Sequence, residues 1–531
     1  MKMKNIINGY KLFLIATVFL TLAACQDEFT NRPPEDAISL DAYYSSNEQV
    51  ASATNGMYSR TWFQFENKFM WAVSEVGSGN MYTGSPDVNA MRTFAINGSD
   101  TELVNGWSAM WANIAQANAI INFLPSRVGP AVDEDVLQNT IGQAHFMRAT
   151  AYFYLVRLWG AVPIIENNLD YVENPIINTN RIEDIYTLIE RDYLAAIDKL
   201  YEKNRGTNYA ENGRISKGSA KSLLAKVYLY EKKYPEAKQM AEDVINSGEF
   251  KLYGGPSLPS KSFYDLFTFS NNNNEESIFA LQWKGDGKYG SANNCNTQFG
   301  ISTGNVSTSN ASYGGVFAPS QDLMAAFELG DLRRKATIML PGDTYPDIKV
   351  ALPNSTFGTL VVPAADQIGG QNAGSGIKKY CIGIVNGGST GPADNWAMMD
   401  NVTYIMRYAE LLLIHAEATL AGAGSTSDAG ALASINAVRN RAGLTSLTSI
   451  TFDDIFKERR LELAFEGDYW FDLGRLPRAQ ATAIMAAQNR GNRLSAEYFT
   501  PEEGDFLLPY PDNDVAKNPK LLEPPVPYDF N

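Results

Sequence analysis

The chain has 531 residues, with 45% apolar and 11% aromatic side chains and a formal net charge of −15. That apolar fraction is globular, and the acidic balance counts against nucleic acid, whose phosphates need a basic surface. Two histidines exclude most zinc and histidine-based active sites, and three cysteines exclude a disulfide-dense scaffold.

The chain opens on a basic stretch with Lys2, Lys4 and Lys11, followed by the apolar run Leu12–Leu22 and then Leu22-Ala23-Ala24-Cys25. The run is too short for a membrane-spanning helix and suits a secretory signal. Leu-Ala-Ala-Cys resembles a bacterial lipobox, in which residues 1–24 are removed and Cys25 is acylated. Removing three lysines and no acids takes the net charge from −15 to −18. Gln26-Asp27-Glu28 resembles the acidic tract that directs some Bacteroidetes lipoproteins to the outer leaflet. Cys295 and Cys381 then remain, either as a disulfide across 85 intervening residues or as buried free thiols.

Helical periodicity recurs along the rest of the chain. Residues 104–124 place Trp107, Trp111, Ile114, Ala117 and Ile121 on one face, and 136–159 repeat the pattern with Ile141, Ala144, Ala151, Leu155 and Leu158. A helix over 181–200 is expected to start at Asn180 as N-cap, with Glu183 three residues on. Residues 216–231 and 235–246 form a pair, with Pro235 suited to a first turn. Further helices are expected over 320–329, 402–421, 428–442 and 452–473. Three of the helices share one register of small residues, at Ala144/Ala149/Ala151, Ala220/Ala225/Val227 and Ala409/Ile414/Ala416. Such residues let paired helices approach closely, as in tetratricopeptide repeats. Segments 60–100, 250–320 and 341–400 are dense in Gly, Asn, Ser and aromatics, with strands expected at Ser277–Trp283 and Lys379–Val385. Irregular stretches of this length are usually functional.

Chemistry motifs occur as strings without their context. Gly387-Gly388-Ser389-Thr390-Gly391, with Asp394 and His415 after it, follows the hydrolase order, but a turn stands where the nucleophile elbow needs a helix. Gly285–Gly290 fits G-x-G-x-x-G with no helix after it to hold a pyrophosphate. Asp512-Asn513-Asp514 lacks the rest of a calcium loop. Glu458, Glu462 and Glu466 recur every four residues beside Arg459 and Arg460, which reads as charge pairing on a helix face rather than a catalytic carboxylate pair.

A set of longer motifs resembles the SusD/RagB family. It comprises Trp111-Ala112-Asn113-Ile114, Arg148-Ala149-x-x-Tyr152-Phe153 running on to Trp159-Gly160-Ala161-Val162-Pro163, Gly213-Arg214-Ile215-Ser216-Lys217, Arg407-Tyr408-Ala409-Glu410, Val438-Arg439-Asn440-Arg441-Ala442-Gly443-Leu444, and Glu458-Arg459-Arg460 through Tyr469-Trp470-Phe471-Asp472-Leu473. The resemblance implies a mostly α fold of about four tetratricopeptide-like helix pairs with long irregular loops and a few short strands. It divides the unit 25–531 into interwoven parts of about 25–240 and 275–531. It further implies a palmitate-bearing outer-membrane lipoprotein facing the exterior, without cofactor or metal, that binds oligosaccharide or peptide and delivers it to a SusC-like TonB-dependent transporter. The alternative is a surface glycoside hydrolase. Sugar faces stack on rigid aromatics, so the loop residues Trp71, Tyr82, Trp283, Tyr289, Tyr313 and Trp396 are the candidate ligand contacts. Arg148, Glu410 and Arg439 are expected to be scaffold.

Overall fold

The computed structural model describes residues 43–202, 213–285, 290–301, 315–352, 356–371, 374–382 and 399–530. Cys25 and the segment before it lie outside the described residues.

Five long helices fill the first half: α1 (Thr101–Phe123), α2 (Glu134–Trp159), α3 (Ile182–Lys199), α4 (Lys217–Tyr230) and α5 (Tyr234–Ser247). Three more come late, α6 (Tyr408–Leu420), α7 (Ala429–Arg441) and α8 (Phe452–Glu462). In space each helix from α1 to α7 packs on the next, α5 meeting α6 across the sequence gap, and α8 lies against α6. These eight helices make the tetratricopeptide-like array. Its close approach rests on the shared register of small residues: Ala144, Ala149, Ala151, Ala220, Ala225, Ala409 and Ala416 are all fully buried. Ends are fixed locally. The Asp100 carboxylate accepts from the amides of Glu102 and Leu103 at 3.0 Å each, and Ser216 and Thr451 form capping boxes for α4 and α8.

The strands are short and lie in the irregular segments. β1 (Met81–Thr83) pairs antiparallel with β3 (Phe317–Pro319), and β2 (Ser277–Leu281) with β8 (Thr403–Arg407). Two further antiparallel pairs join β4 (Ile338–Met339) to β7 (Gly376–Ile377) and β5 (Thr344–Leu352) to β6 (Thr356–Val361). The larger apolar cluster runs from Val50 to Leu508 and so takes side chains from both halves of the chain, while a smaller one gathers Leu412, Leu413, Ile435, Val438 and Ile455 where α6, α7 and α8 meet. Among the described residues no helix is long and apolar enough to cross a membrane.

Several expected elements differ. α3 is capped at Arg181 with no side-chain bond, because the Asn180 side chain is engaged elsewhere, accepting from the Ile164 amide at 2.8 Å and donating to the Val526 carbonyl. The helix expected over 402–421 opens as β8, whose Thr403, Tyr404, Met406 and Arg407 pair with β2 before the chain turns helical at Tyr408. The helix over 452–473 breaks after Glu462, since Phe465 and Gly467 both adopt positive φ; a separate helix α9 (Tyr469–Gly474) follows, then α10 (Arg478–Ala487). The helix at 320–329 covers only Gln321–Ala326. At Lys379–Val385 the described residues, up to Ile382, form a turn and not a strand. Asp512-Asn513-Asp514 opens a short helix, and among the described residues no cluster of His, Cys, Asp and Glu could hold a metal ion.

The three glutamates do not share one helix, yet all are charge-paired and buried. Glu458 meets Arg333 at 2.6 Å and Arg439 at 2.9 Å; Glu462 meets Arg407 at 2.9 Å and Arg333 at 3.2 Å, and also pairs with Arg441. Glu466 meets Arg407 at 2.6 Å and Lys379 at 2.7 Å. Arg148 binds Asp192 at 2.7 Å, and Glu410 binds Lys226 at 2.8 Å and Arg459 at 3.1 Å. Cys295 and Cys381 are free buried thiols, so the disulfide alternative is not realised.

Candidate functional site

A cavity of about 430 Å³ opens where α1 meets the irregular segments before and after it. One wall is the π-helical turn Phe65–Phe69. That turn sits tight on α1 because Gly106 has no side chain: a Cβ there would come within 2.1 Å of the Phe69 ring. The close approach directs Gln64, Asn67 and Lys68 to the cavity, where Glu102 and Asn105 of α1 join them. The opposite wall is the short helix Cys295–Phe299, which supplies Thr297 and Gln298 with Asn294 before it.

The lining is rich in carboxamides. Asn67 accepts from the Asn294 side chain at 3.0 Å and from the Gln298 side chain at 3.1 Å. Both amide groups are thereby held in fixed orientation. The side-chain oxygen Oε1 of Gln298 is buried and bonds to nothing among the described residues. An unmet acceptor of this kind costs free energy and suits a ligand hydroxyl. At the rim Lys68 bridges two carboxylates, Asp87 at 2.6 Å and Glu102 at 4.0 Å. Burial is the main influence on Glu102 and raises its pKa, against the opposing pull of Asn105 and Lys68. Behind the turn, Glu66 is buried and accepts from the Thr403 hydroxyl at 2.8 Å and the Cys295 thiol at 3.7 Å; burial pushes its carboxyl up to about 7.

Two family models match the chain: the SusD family over residues 275–526, and a family described as starch-binding associating with outer membrane over residues 31–229. A SusD-like protein of Bacteroides ovatus is 32% identical, covering 98% of both chains. The chain belongs to the SusD family. A crystal structure solved with xylogluco-oligosaccharide is 30% identical to this SusD-family chain, with a TM-score of 0.76 over 91% of this chain and 99% of that one. A laminarin-binding SusD-like protein is 26% identical, with a TM-score of 0.70 over 90% and 98%.

The aromatic candidates separate by burial. Trp71 is 0% exposed, its ring 5.2 Å from that of Phe299 and 6.1 Å from that of Tyr380, so it is core and has no face for a sugar. Trp283 is 7% exposed, lies against Phe63 and donates from Nε1 to the Thr403 hydroxyl at 2.9 Å; it is core as well. Both were drawn inward because the irregular segments supply much of the apolar core. Tyr82 is half-buried on β1 with the Arg92 guanidinium 5.1 Å from its ring centre. Tyr289, Tyr313 and Trp396 lie outside the described residues, as do Ser389, Asp394 and the middle of the Gly285–Gly290 string. His415 is buried inside α6 and bonds the Ser434 hydroxyl at 2.8 Å. Reasoning from aromatics missed the carboxamides Gln64, Asn67, Asn105, Asn294 and Gln298. For Gln64, Asn67, Asn294 and Gln298 the available signal was the polar, Asn-rich composition of segments that show no period; Asn105 sits on a periodic helix and gave none.

Proposed function

We propose that this SusD-family protein is a non-catalytic, surface-exposed lipoprotein, acylated at Cys25, that takes a neutral oligosaccharide in the carboxamide cavity and delivers it to a SusC-like TonB-dependent transporter. The observation that carries the reading is the buried, unbonded side-chain oxygen Oε1 of Gln298 among oriented amides. Sugar hydroxyls both donate and accept, and so do carboxamides, which makes an amide lining the neutral match for them. The glycan ligands of the two solved relatives point to the same substrate class. Asp87 and Glu102, tied to one lysine, would serve as acceptors for hydroxyls rather than as an acid and a nucleophile. Tyr289, Tyr313 and Trp396 remain the proposed stacking platforms.

The test is affinity electrophoresis and calorimetry with xylogluco-oligosaccharide and laminarin, comparing the native protein with Gln298→Ala and Asn67→Ala. The expected result is loss of retardation with at least one of the glycans. Unchanged retardation in both variants removes the cavity. Glycan hydrolysis that disappears in Glu102→Gln would replace binding by catalysis. Palmitate labelling that vanishes in Cys25→Ala checks the anchor, and co-purification with an outer-membrane barrel checks the partner.

A further inference from the structure

A second cavity, of about 320 Å³, lies between the C-terminal ends of α2 and α4 and the α9–α10 corner. Its lining includes Arg157, Tyr230, Trp470, Arg475, Arg478 and Phe506. Three buried polar atoms of these side chains bond to nothing among the described residues: Arg157 Nη1, Tyr230 Oη and Arg475 Nε. The Arg157 guanidinium is held between the rings of Phe153 at 3.7 Å and Phe471 at 4.0 Å. Arg157 and Arg475 both stand 5.2 Å from the centre of the Tyr230 ring, so the two cations share one aromatic neighbour. Arg478 sits 4.4 Å from the centre of the Phe506 ring, and Phe506 stacks on Trp470 at 5.8 Å.

The lining itself carries three arginines and no carboxylate, and only one of the three is paired directly. Arg475 is paired with Glu417 at 3.0 Å and Asp472 at 3.1 Å. The hydrogen bonds of Arg157 and Arg478 among the described residues go only to main-chain carbonyls, of Phe153 at 2.8 Å and Gly474 at 3.0 Å. Arg157 is the buried one, with Asp468 acting on it only through space and no carboxylate bonded to it; a buried cation without a bonded counter-charge is costly. In a chain of net charge −15 this is a local concentration of positive charge. A guanidinium offers its free N–H groups to an oxyanion in a planar fork, and the tyrosine hydroxyl adds one further donor.

We propose that this cavity binds an oxyanion, a carboxylate or phosphate carried on a hexose-sized body, with Arg157, Arg475, Arg478 and Tyr230 as donors and the Trp470–Phe506 stack as the wall for the body. The proposal does not rest on the carboxamide cavity and stands or falls separately. Calorimetry on the full-length protein with glucuronate, glucose 6-phosphate and glucose at matched ionic strength tests it. Saturable binding is expected for at least one of the two anions and not for glucose. Affinity should fall about tenfold or more in Arg478→Gln and less in Tyr230→Phe. Arg478 is half-exposed at the rim and Tyr230→Phe keeps the ring, so both variants should fold, which a melting curve checks. Preference for glucuronate assigns a carboxylate, and preference for glucose 6-phosphate assigns a phosphate. Absence of saturable binding for both anions, or equal affinity in the native protein and both variants, overturns the proposal. Retardation by neutral glycans should be unchanged in Arg478→Gln, which separates this site from the first.

Discussion

Around Glu462 every buried carboxylate meets a guanidinium, whereas around Gln298 amides meet one another and leave an acceptor over. Both regions are polar and both are enclosed. The first joins α7, α8 and β8 and the segments carrying Glu276 and Arg333; the second joins α1 to the loop segments. The difference follows from what an unmet group costs. A lone buried charge costs several kcal/mol, so a lattice of charges must close on itself to persist. A lone buried amide oxygen costs about 1–3 kcal/mol, which a folded protein can carry until a ligand arrives. Between these two regions, then, charge serves the scaffold and neutral polarity is left open for binding.

The comparison breaks most visibly if the lattice tolerates a gap. Arg407→Ala strips Glu276, Glu462 and Glu466 of their shared partner. A loss of about 3–5 kcal/mol is expected, read as a fall in the urea midpoint or as failure to accumulate folded protein. A change below about 1 kcal/mol would mean that the lattice is not what holds these elements together.

Two carboxylates sharpen the contrast through pH. Burial raises the Glu66 carboxyl to about 7, above its unfolded value of 4.5, so its protonated form is the one that fits. Its contribution is fully present below pH 4.5 and is lost as pH rises through 7. Glu66→Gln should therefore raise stability above pH 7 by up to about 3 kcal/mol, and change little at pH 4. Asp192 behaves oppositely. Burial alone would raise it, but Arg148 and His145 outweigh burial and bring it down to about 2. Its contribution is present above the unfolded value of 3.8 and is lost as pH falls toward 2, a pH-dependent part of about 2 kcal/mol. Asp192→Asn should flatten that acid arm of the denaturation profile. Parallel pH profiles in native protein and variant would deny the pairing its role.

The scaffold side of this contrast was more legible in the sequence than the binding side. Helices α1 to α5 announce themselves through apolar spacing, and the small-residue register foretells their packing. The paired glutamates were readable as partners of arginines, though not the break before Glu466, because the left-handed turn at Phe465 leaves no mark in residue spacing. β8 was hidden for a related reason: Thr403–Arg407 and the start of α6 are equally apolar, and only pairing with β2 tells them apart. The cavity was the least legible. Asn67 and Gln298 are 231 positions apart and belong to segments without period, so nothing local announces that they meet. Aromatics drew attention instead, and Trp71 and Trp283 turned out to be the core that irregular segments need.

The smallest expected effect on stability is also the one that decides the binding side. In Gln298→Ala the bond to Asn67 at 3.1 Å is lost, and so is the unmet carbonyl. The first loss costs about 1 kcal/mol and the second relieves a penalty of similar size, so the net change should stay within about 1 kcal/mol of zero. If the amides exist for a ligand, glycan affinity should nevertheless fall about tenfold, since the alanine presents no acceptor to the sugar hydroxyl. A variant as stable as the native protein but unable to bind places Gln298 with the ligand. A variant that loses several kcal/mol and still binds places it with the scaffold, beside Glu462, and the contrast between the two regions collapses.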